Sequence, residues 1–256
     1  MTQLLLNADV GESLGPWVMG NDAALMPLLD LANIACGFHA SDPDIMRATV
    51  RLASEHSVTI GAHPSYPDLV GFGRRSMACT PEQVENLVLY QVGALAAMCK
   101  AEGAQLHYVK PHGALYNDMA GDHALLAAVM RGVQAYDSGL VLVVPATNDP
   151  EPVRAMAKAH GLQLWFEVFA DRAYHKNGRL VSRSKQGAVH QDQKLIVEQA
   201  NRFAKGLSIQ AVEGSELLLQ ADTLCVHGDN EASILAAHAI RAALTNGGVN
   251  ECLSAD

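Results

Sequence analysis

The chain has 256 residues, 49% hydrophobic and 5% aromatic, with a formal net charge of −9; this suits a large aliphatic, alanine-rich core and excludes a basic nucleic-acid surface. Five cysteines, odd in number and without a C-x-x-C pair, point to reduced thiols rather than a disulfide frame or zinc ribbon. No apolar run approaches the ~18 residues of a membrane span, and Met1-Thr2-Gln3 before a short apolar run lacks the basic region of a signal peptide, so a cytoplasmic protein is expected.

Leu4-Leu5-Leu6 reads as a strand that delivers Asn7, Asp9 and Glu12 at its C-terminal end, followed by a Gly15-Pro16-Trp17 loop. A second apolar run, Ala32 to Cys36, ends in Gly37-Phe38-His39. Asp42, Pro43 and Asp44 then start a helix as N-cap, first helical residue and first-turn acid. Its inner face is Ile45, Thr49, Leu52 and Ala53. The next strand, from Val58, ends in Gly61-Ala62-His63-Pro64. The loop from Ser65 to Ala78 holds Gly71-Phe72-Gly73-Arg74-Arg75, and a loop of that length is usually functional. Thr80 and Gln83 form a capping box with Pro81 at the first helical position. Val84, Leu87, Val88, Leu95 and Cys99 share one face of that helix, and Gly103 is its stop.

A strand from Leu106 to Val109 ends in Lys110-Pro111-His112-Gly113, with a helix from about Asp122. Leu140 to Val144 is a buried strand stopped by Pro145, and Glu151 to His160 is a helix. Leu164 to Phe169 leads to Asp171-Arg172. The stretch from Ala173 to His190 breaks the rhythm, with Asn177-Gly178 reading as a hairpin turn. A helix follows with Ile196, Ala200, Phe203 and Ala204 on one side. The last strand, Thr223 to Val226, ends in His227-Gly228-Asp229-Asn230, with Asn230 capping a helix that ends near Gly247.

Strands and helices alternate about seven times, which implies a parallel sheet covered by helices. An open doubly wound sheet and a barrel both fit. Polar groups at nearly every strand end favour the barrel, because an open sheet concentrates them at one switch point. The expectation is an α/β protein: a (β/α) barrel-like domain, distorted or seven-stranded, over residues 1–250, with a loose tail over 251–256.

The expected rim is Asp9, Glu12, His39, His63, Lys110, His112, Glu167, Asp171, Arg172, His227 and Asp229. Each alone has a plain structural role open to it, such as a helix cap for Asp9 or Asp229. His107, His123, His160, His175 and His238 are read as ordinary, Cys36 and Cys225 as packing residues, and no cysteine as a nucleophile. In a parallel fold, however, the histidine-bearing strand ends meet at one edge. Carboxylates beside imidazoles there suit a divalent metal or general acid–base work. Walker A, G-x-G-x-x-G, G-x-S-x-G and H-E-x-x-H motifs are all absent.

Asn7 to Ser13, Ala32 to Pro43, Gly61 to Tyr66, Gly71 to Arg75, Val109 to Tyr116, Glu167 to Tyr174, Leu180 to Arg183 and Val226 to Asn230 together resemble the LamB/YcsF family of 5-oxoprolinase A subunits. Ser41 stands where a glycine is common, and Ala188 to Asp192 fits less closely. The resemblance implies a fold similar to the glycoside hydrolase/deacetylase barrels. It also implies hydrolytic opening of 5-oxo-L-proline to L-glutamate, with ATP as cosubstrate and 5-oxoprolinase subunits B and C as partners; a homo-oligomer is compatible with it. The chemistry explains the ATP: an unstrained lactam is a poor electrophile, and phosphorylating its amide oxygen activates the ring carbon for water.

On that chemistry, Asp9, Glu12, His39 and His63 would activate water or hold a metal, with Asp9, His39 and His63 as the metal set. Lys110 and His112 would neutralise phosphate or the developing oxyanion. Asn7 with Arg172, or with Arg74 and Arg75, would bind the substrate, the guanidinium clamping its carboxylate. Glu167 or Asp171 would hold the lactam N–H, and His227 and Asp229 would form a second acid–base pair. Two alternatives stand beside this: a metal-dependent amidase or deacetylase acting alone, and a non-catalytic substrate-binding subunit.

Overall fold

The computed structural model describes residues 4–226, 228 and 231–245. Its strands are β1 (Leu5–Val10), β2 (Leu31–Ala35), β3 (Thr59–His63), β4 (Leu106–Val109), β5 (Val141–Pro145), β6 (Gln163–Phe169), β7 (Ile209–Gln210), β8 (Glu216–Leu217) and β9 (Thr223–Val226). The helices are α1 (Asp22–Leu25), α2 (Pro43–Glu55), α3 (Pro81–Ala101), α4 (Gly113–Gly121), α5 (His123–Tyr136), α6 (Glu151–Ala159), α7 (Gln193–Ala204) and α8 (Glu231–Thr245). Seven strands close into a parallel barrel in the order β1-β2-β3-β4-β5-β6-β9. Closure falls on β1, where Asn7 sits opposite Leu31 of β2 and Leu5 opposite Thr223 of β9. Parallel neighbours cannot be joined by tight turns, so the crossovers place helices around the outside.

Alternation along each strand sorts side chains to two faces. Leu6, Ala8 and Val10 of β1, Ala32 and Ile34 of β2, and Leu224 and Val226 of β9 turn outward into the main apolar core beneath the helices. The inward set changes character with height. At the strand starts Leu31, Tyr108 and Val143 pack with Leu5, Val141 and Trp165 into an apolar plug. Further along come Asn7, Asp9, Asn33, His63, Lys110 and Glu167, toward the C-terminal mouth. Gly61 makes the plug feasible: a Cβ on it would lie 2.1 Å from Tyr108 Cε2, and the fully buried tyrosine ring fills that space.

The helix starts obey local chemistry. Asp42 accepts from Asp44 N at 2.9 Å and Ile45 N at 3.0 Å, with Pro43 at the first helical position. Thr80 and Gln83 form the reciprocal capping box that opens α3. The expected helix from about Asp122 is α5, capped by Asp122, but α4 precedes it. The glycines that bound α4 hid it as a loop. The Asn177-Gly178 turn forms, with Gly178 at φ 82, yet only single bridges (Tyr174 with Leu180, Arg172 with Val189) replace the expected hairpin. The β7–β8 ribbon, only two residues a side, is too short to leave an alternating pattern. The Asn230 cap, the end of the last helix near Gly247 and the 251–256 tail lie outside the described residues. Among the described residues no helix is long and apolar enough to cross a membrane, and Cys36, Cys79, Cys99 and Cys225 are free.

Gly61→Ala should lower unfolding free energy by about 1–3 kcal/mol, the usual cost of overpacking, read as a reduced urea midpoint. An unchanged midpoint would show that Tyr108 can move aside.

Candidate active site

The lower layer of the mouth is organised by one cation. The Lys110 ammonium lies 3.1 Å from Asn7 Oδ1, 3.0 Å from Asp9 Oδ1 and 2.8 Å from Glu167 Oε1. An ammonium has three donors, and these acceptors match them, with Cys225 Sγ a weaker neighbour at 3.3 Å. Around it Asn33 Nδ2 donates to Asn7 Oδ1 at 2.8 Å and Asp9 Oδ1 at 2.9 Å. Tyr108 donates to Asn33 Oδ1 at 2.7 Å, Asn7 Nδ2 to Thr223 Oγ1 at 2.7 Å, and Tyr116 to Glu167 Oε2 at 2.6 Å. Asp9 therefore uses Oδ1 inside the barrel and turns Oδ2 toward His63 Nε2, 3.3 Å away. Burial pushes the Asp9 carboxyl up, but His63 and the Lys110 ammonium outweigh it and hold it well below 3.8. Burial likewise disfavours the Lys110 charge, yet Asp9 and Glu167 hold its pKa well above 10.5.

The upper layer is three histidines. His39 and His112 stack at 3.8 Å and 5°, and His63 meets both edge-on. His39 Nε2 lies 3.0 Å from Glu12 Oε1, while its Nδ1 is buried without a hydrogen-bond partner. Burial holds His39 and His112 well below 6.5, and the neighbouring imidazoles add to the effect. Both rings are therefore neutral near pH 7.

The long loop closes over these rings. Phe72 sits edge-on against His39 and His112, and its carbonyl accepts from His112 Nε2 at 2.9 Å. Phe72 holds φ 54 and Gly73 φ 62; a Cβ on Gly73 would lie 2.8 Å from both His112 Cδ2 and His39 Cβ. Only glycine lets the chain approach the imidazoles so closely. Asp68 anchors the loop, accepting from Arg75 and from Gly71 N at 2.9 Å.

The structure thus gathers Asn7, Asp9, Glu12, His39, His63, Lys110, His112 and Glu167 into one mouth. It redirects several expected contacts. Lys110 and Glu167 face each other, with their bonding groups taken, rather than a ligand. Arg172 is buried and donates to Ala188 O at 3.2 Å and Val181 O at 2.6 Å, so it braces the excursion. Arg75 is tied to Asp68, while Arg74 stands 5.1 Å over the Phe72 ring and exposed. Asp171 lines a separate small cleft with Ile196, Ser233 and Ile240. The donors that lie within 4.8 Å of one another are Glu12, His39, His63 and His112, which adds Glu12 and His112 to the expected metal set and leaves out Asp9. His227 and Asp229 lie outside the described residues. Tyr108, Tyr116 and Thr223 were missed. Period-two alternation back from Lys110 and Cys225 leads to Tyr108 and Thr223, whereas Tyr116 needed α4 to be seen.

Residues 4–254 match the LamB/YcsF family. A Chromohalobacter salexigens protein named as the 5-oxoprolinase A subunit is 62% identical over 237 residues, 93% of this chain and 95% of that one. A Pseudomonas putida protein named as a second 5-oxoprolinase A subunit is 58% identical over 242 residues, 94% of each chain. Among solved structures, the lactam utilization protein of Thermus thermophilus superposes with TM-score 0.88 at 44% identity, over 96% of this chain and 98% of that one.

Stability should be acid-sensitive in a defined order when unfolding is measured in a chelator. The unfolded chain protonates its histidines below about 6.5, whereas His39 and His112 resist in the folded state. Stability is lost as pH falls from there, by up to about 1.4 kcal/mol per pH unit for each histidine. Asp9 adds its loss below 3.8, as pH falls through its folded value. Urea midpoints should decline from about pH 7 to about pH 4, and His39→Leu should flatten the decline. A flat wild-type profile would contradict this electrostatic picture.

Proposed function

The chain belongs to the LamB/YcsF family, and from that premise we propose that it is the A subunit of an ATP-dependent 5-oxoprolinase. It opens 5-oxo-L-proline to L-glutamate in the cytoplasm, with release of ADP and phosphate, together with 5-oxoprolinase subunits B and C. The observation that carries this is near full-length identity to relatives bearing that subunit name. The word subunit in those names supports an assembly, and the absence of standard nucleotide loops from this sequence fits ATP contacts shared with partners.

The geometry supports a division of labour within one barrel domain over residues 1–250. Asp9 Oδ2 is the base that takes a proton from the attacking water, because Lys110 and Asn33 hold Oδ1 and keep the group ionised. Lys110 and Glu167 position Asp9 rather than touch substrate. His39 and His112, neutral and desolvated, shuttle protons at the mouth. Arg74 clamps the substrate carboxylate, since among the described residues it makes no ion pair while Arg75 and Arg172 are engaged. His227 and Asp229 serve as the second acid–base pair for the released amine, a role that rests on their chemistry, whereas Asp171 lines the separate cleft. A divalent ion held by Glu12 and the histidines would supply Lewis-acid polarisation.

The convergence of Glu12 with three histidines also favours a second function, a metal-dependent amidase that needs neither ATP nor partners. Glutamate release by the chain mixed with subunits B and C should require ATP, and Asp9→Asn should lower kcat by about 10²–10⁴-fold with the far-UV spectrum intact. Turnover by the isolated chain without ATP would overturn the complex in favour of the amidase.

A further inference from the structure

The loops after β1, β2 and β3 form one connected sector of the mouth, because those strands are neighbours in the barrel. Ser41 N donates to Ser13 O at 3.0 Å and Gly15 N to Asp42 Oδ2 at 2.8 Å, which joins the first loop to the second. His39 meets Phe72 edge-on at 5.5 Å, which joins the second to the third. This sector turns large apolar side chains to solvent. Trp17 is 71% exposed, Val18 86% and Val70 93%, and their neighbours Met19 and Leu69 are exposed as well. Tyr90 of α3 is also exposed and stacks on Phe38 of the second loop at 5.4 Å. Scattered apolar residues are ordinary on a surface, whereas a patch gathered on one sector marks an interaction site.

Polar bonds rather than burial hold the first loop. Leu14 and Trp17 exchange both of their backbone hydrogen bonds at 3.0 Å, and Met19 N donates to Ser13 Oγ at 2.9 Å. The Trp17 ring is presented on an ordered backbone and takes no part in the core, so docking costs that loop little ordering. An exposed, preorganised tryptophan is the kind of residue that anchors protein interfaces.

Charge selects the occupant. No Lys, Arg, Asp or Glu lies between Glu12 and Asp22 or between Cys36 and Asp42. Across the barrel, the connection from β6 to α7 carries Arg172, Lys176, Arg179, Arg183 and Lys185 against only Asp171 and Asp192. Lys176, Arg179, Arg183 and Lys185 are exposed. The mouth thus has an apolar sector and a basic sector, on a chain whose net charge is −9. A second copy seated mouth to mouth would set the same cations against one another, and like charges across an interface are costly. An unlike protein with an apolar centre and an acidic edge matches both sectors.

We infer that the β1–β3 sector of the mouth, anchored by Trp17, is the docking face for such an unlike protein, the pair formed by subunits B and C. This rests on the function proposed above, in which those subunits share the ATP contacts. Seated there, the partner covers the Phe72 loop and closes the imidazoles of the mouth off from bulk water.

The test uses the full chain labelled with 5-fluorotryptophan, unlabelled subunits B and C, and ¹⁹F NMR. Trp17 and Trp165 are the two tryptophans, and Trp165 packs in the apolar plug at the other end of the barrel. Adding B and C should move the Trp17 chemical shift and leave that of Trp165 in place. Trp17→Ala and Val70→Asp should each weaken association about 10–100-fold with unchanged urea midpoints. Tyr136→Asp, an exposed position at the far end of α5, should leave association unchanged. Lys176→Glu combined with Lys185→Glu should slow association about tenfold at low salt, and an unchanged rate would overturn the acidic edge. Undiminished assembly of both Trp17→Ala and Val70→Asp with B and C would overturn this inference alone and leave the proposed complex standing. Failure of the wild-type chain to associate with B and C would overturn both. Dissociation of a wild-type dimer by Val70→Asp would assign the face to a second copy instead.

Discussion

The structure depends on one ammonium group held inside a barrel. Lys110 is 3% exposed, and a charge so placed is tolerated only with paired and hydrogen-bonded neighbours. Asp9 comes from β1 and Glu167 from β6, while Lys110 itself follows β4. The pairing therefore ties three separated strands together across the lumen. Asn7, Asn33, Tyr108 and Tyr116 complete the cage by saturating the oxygens that Lys110 leaves. Removing any one acceptor would strand a buried charge, so the network specifies a single arrangement of the interior.

That network also divides the barrel by height. Below it, Leu31, Tyr108, Val143 and Trp165 seal the lumen against water. Above it, Asp9 Oδ2 and the imidazoles emerge at the mouth. The polar layer therefore opens toward the mouth only, and the Lys110 ammonium and His63 beside Asp9 hold its carboxyl well below 3.8. The strain of Phe72 at φ 54 belongs to the same design, since the loop must bring a carbonyl to His112 and a ring to both stacked histidines. Such conformations persist only where the surroundings over-determine them. Here the Asp68 anchor and the close approach allowed by Gly73 do so.

Membership of the LamB/YcsF family and a fold shared with the Thermus thermophilus lactam utilization protein place this arrangement on a common scaffold. Fold alone does not assign chemistry. What narrows it is which atoms remain available after the internal bonds are counted. Lys110, Glu167, Arg75 and Arg172 are spent on structure. Asp9 Oδ2 turns to His63 Nε2 at the mouth, and the Arg74 guanidinium is exposed.

The sequence by itself determined a helix-covered parallel sheet, because apolar runs alternate with capped helices, and it favoured a barrel over an open sheet because polar groups stand at nearly every strand end. It determined the cap at Asp42 and the capping box at Thr80, since both rest on neighbours two or three residues away. It also named Asp9, Glu12, His39, His63, Lys110, His112 and Glu167 as strand-end groups, which the structure brings into one mouth. Tertiary structure alone decided what each rim group does. Whether Lys110 meets a ligand or Glu167, and whether Arg172 clamps a substrate or the excursion, depends on residues tens to hundreds of positions apart. The tautomers of His63 and His112 depend on the carbonyls of Lys110 and Phe72, 47 and 40 residues away. Composition and periodicity carry strand ends to one edge, but only closure of the barrel sets the angles at which their side chains meet.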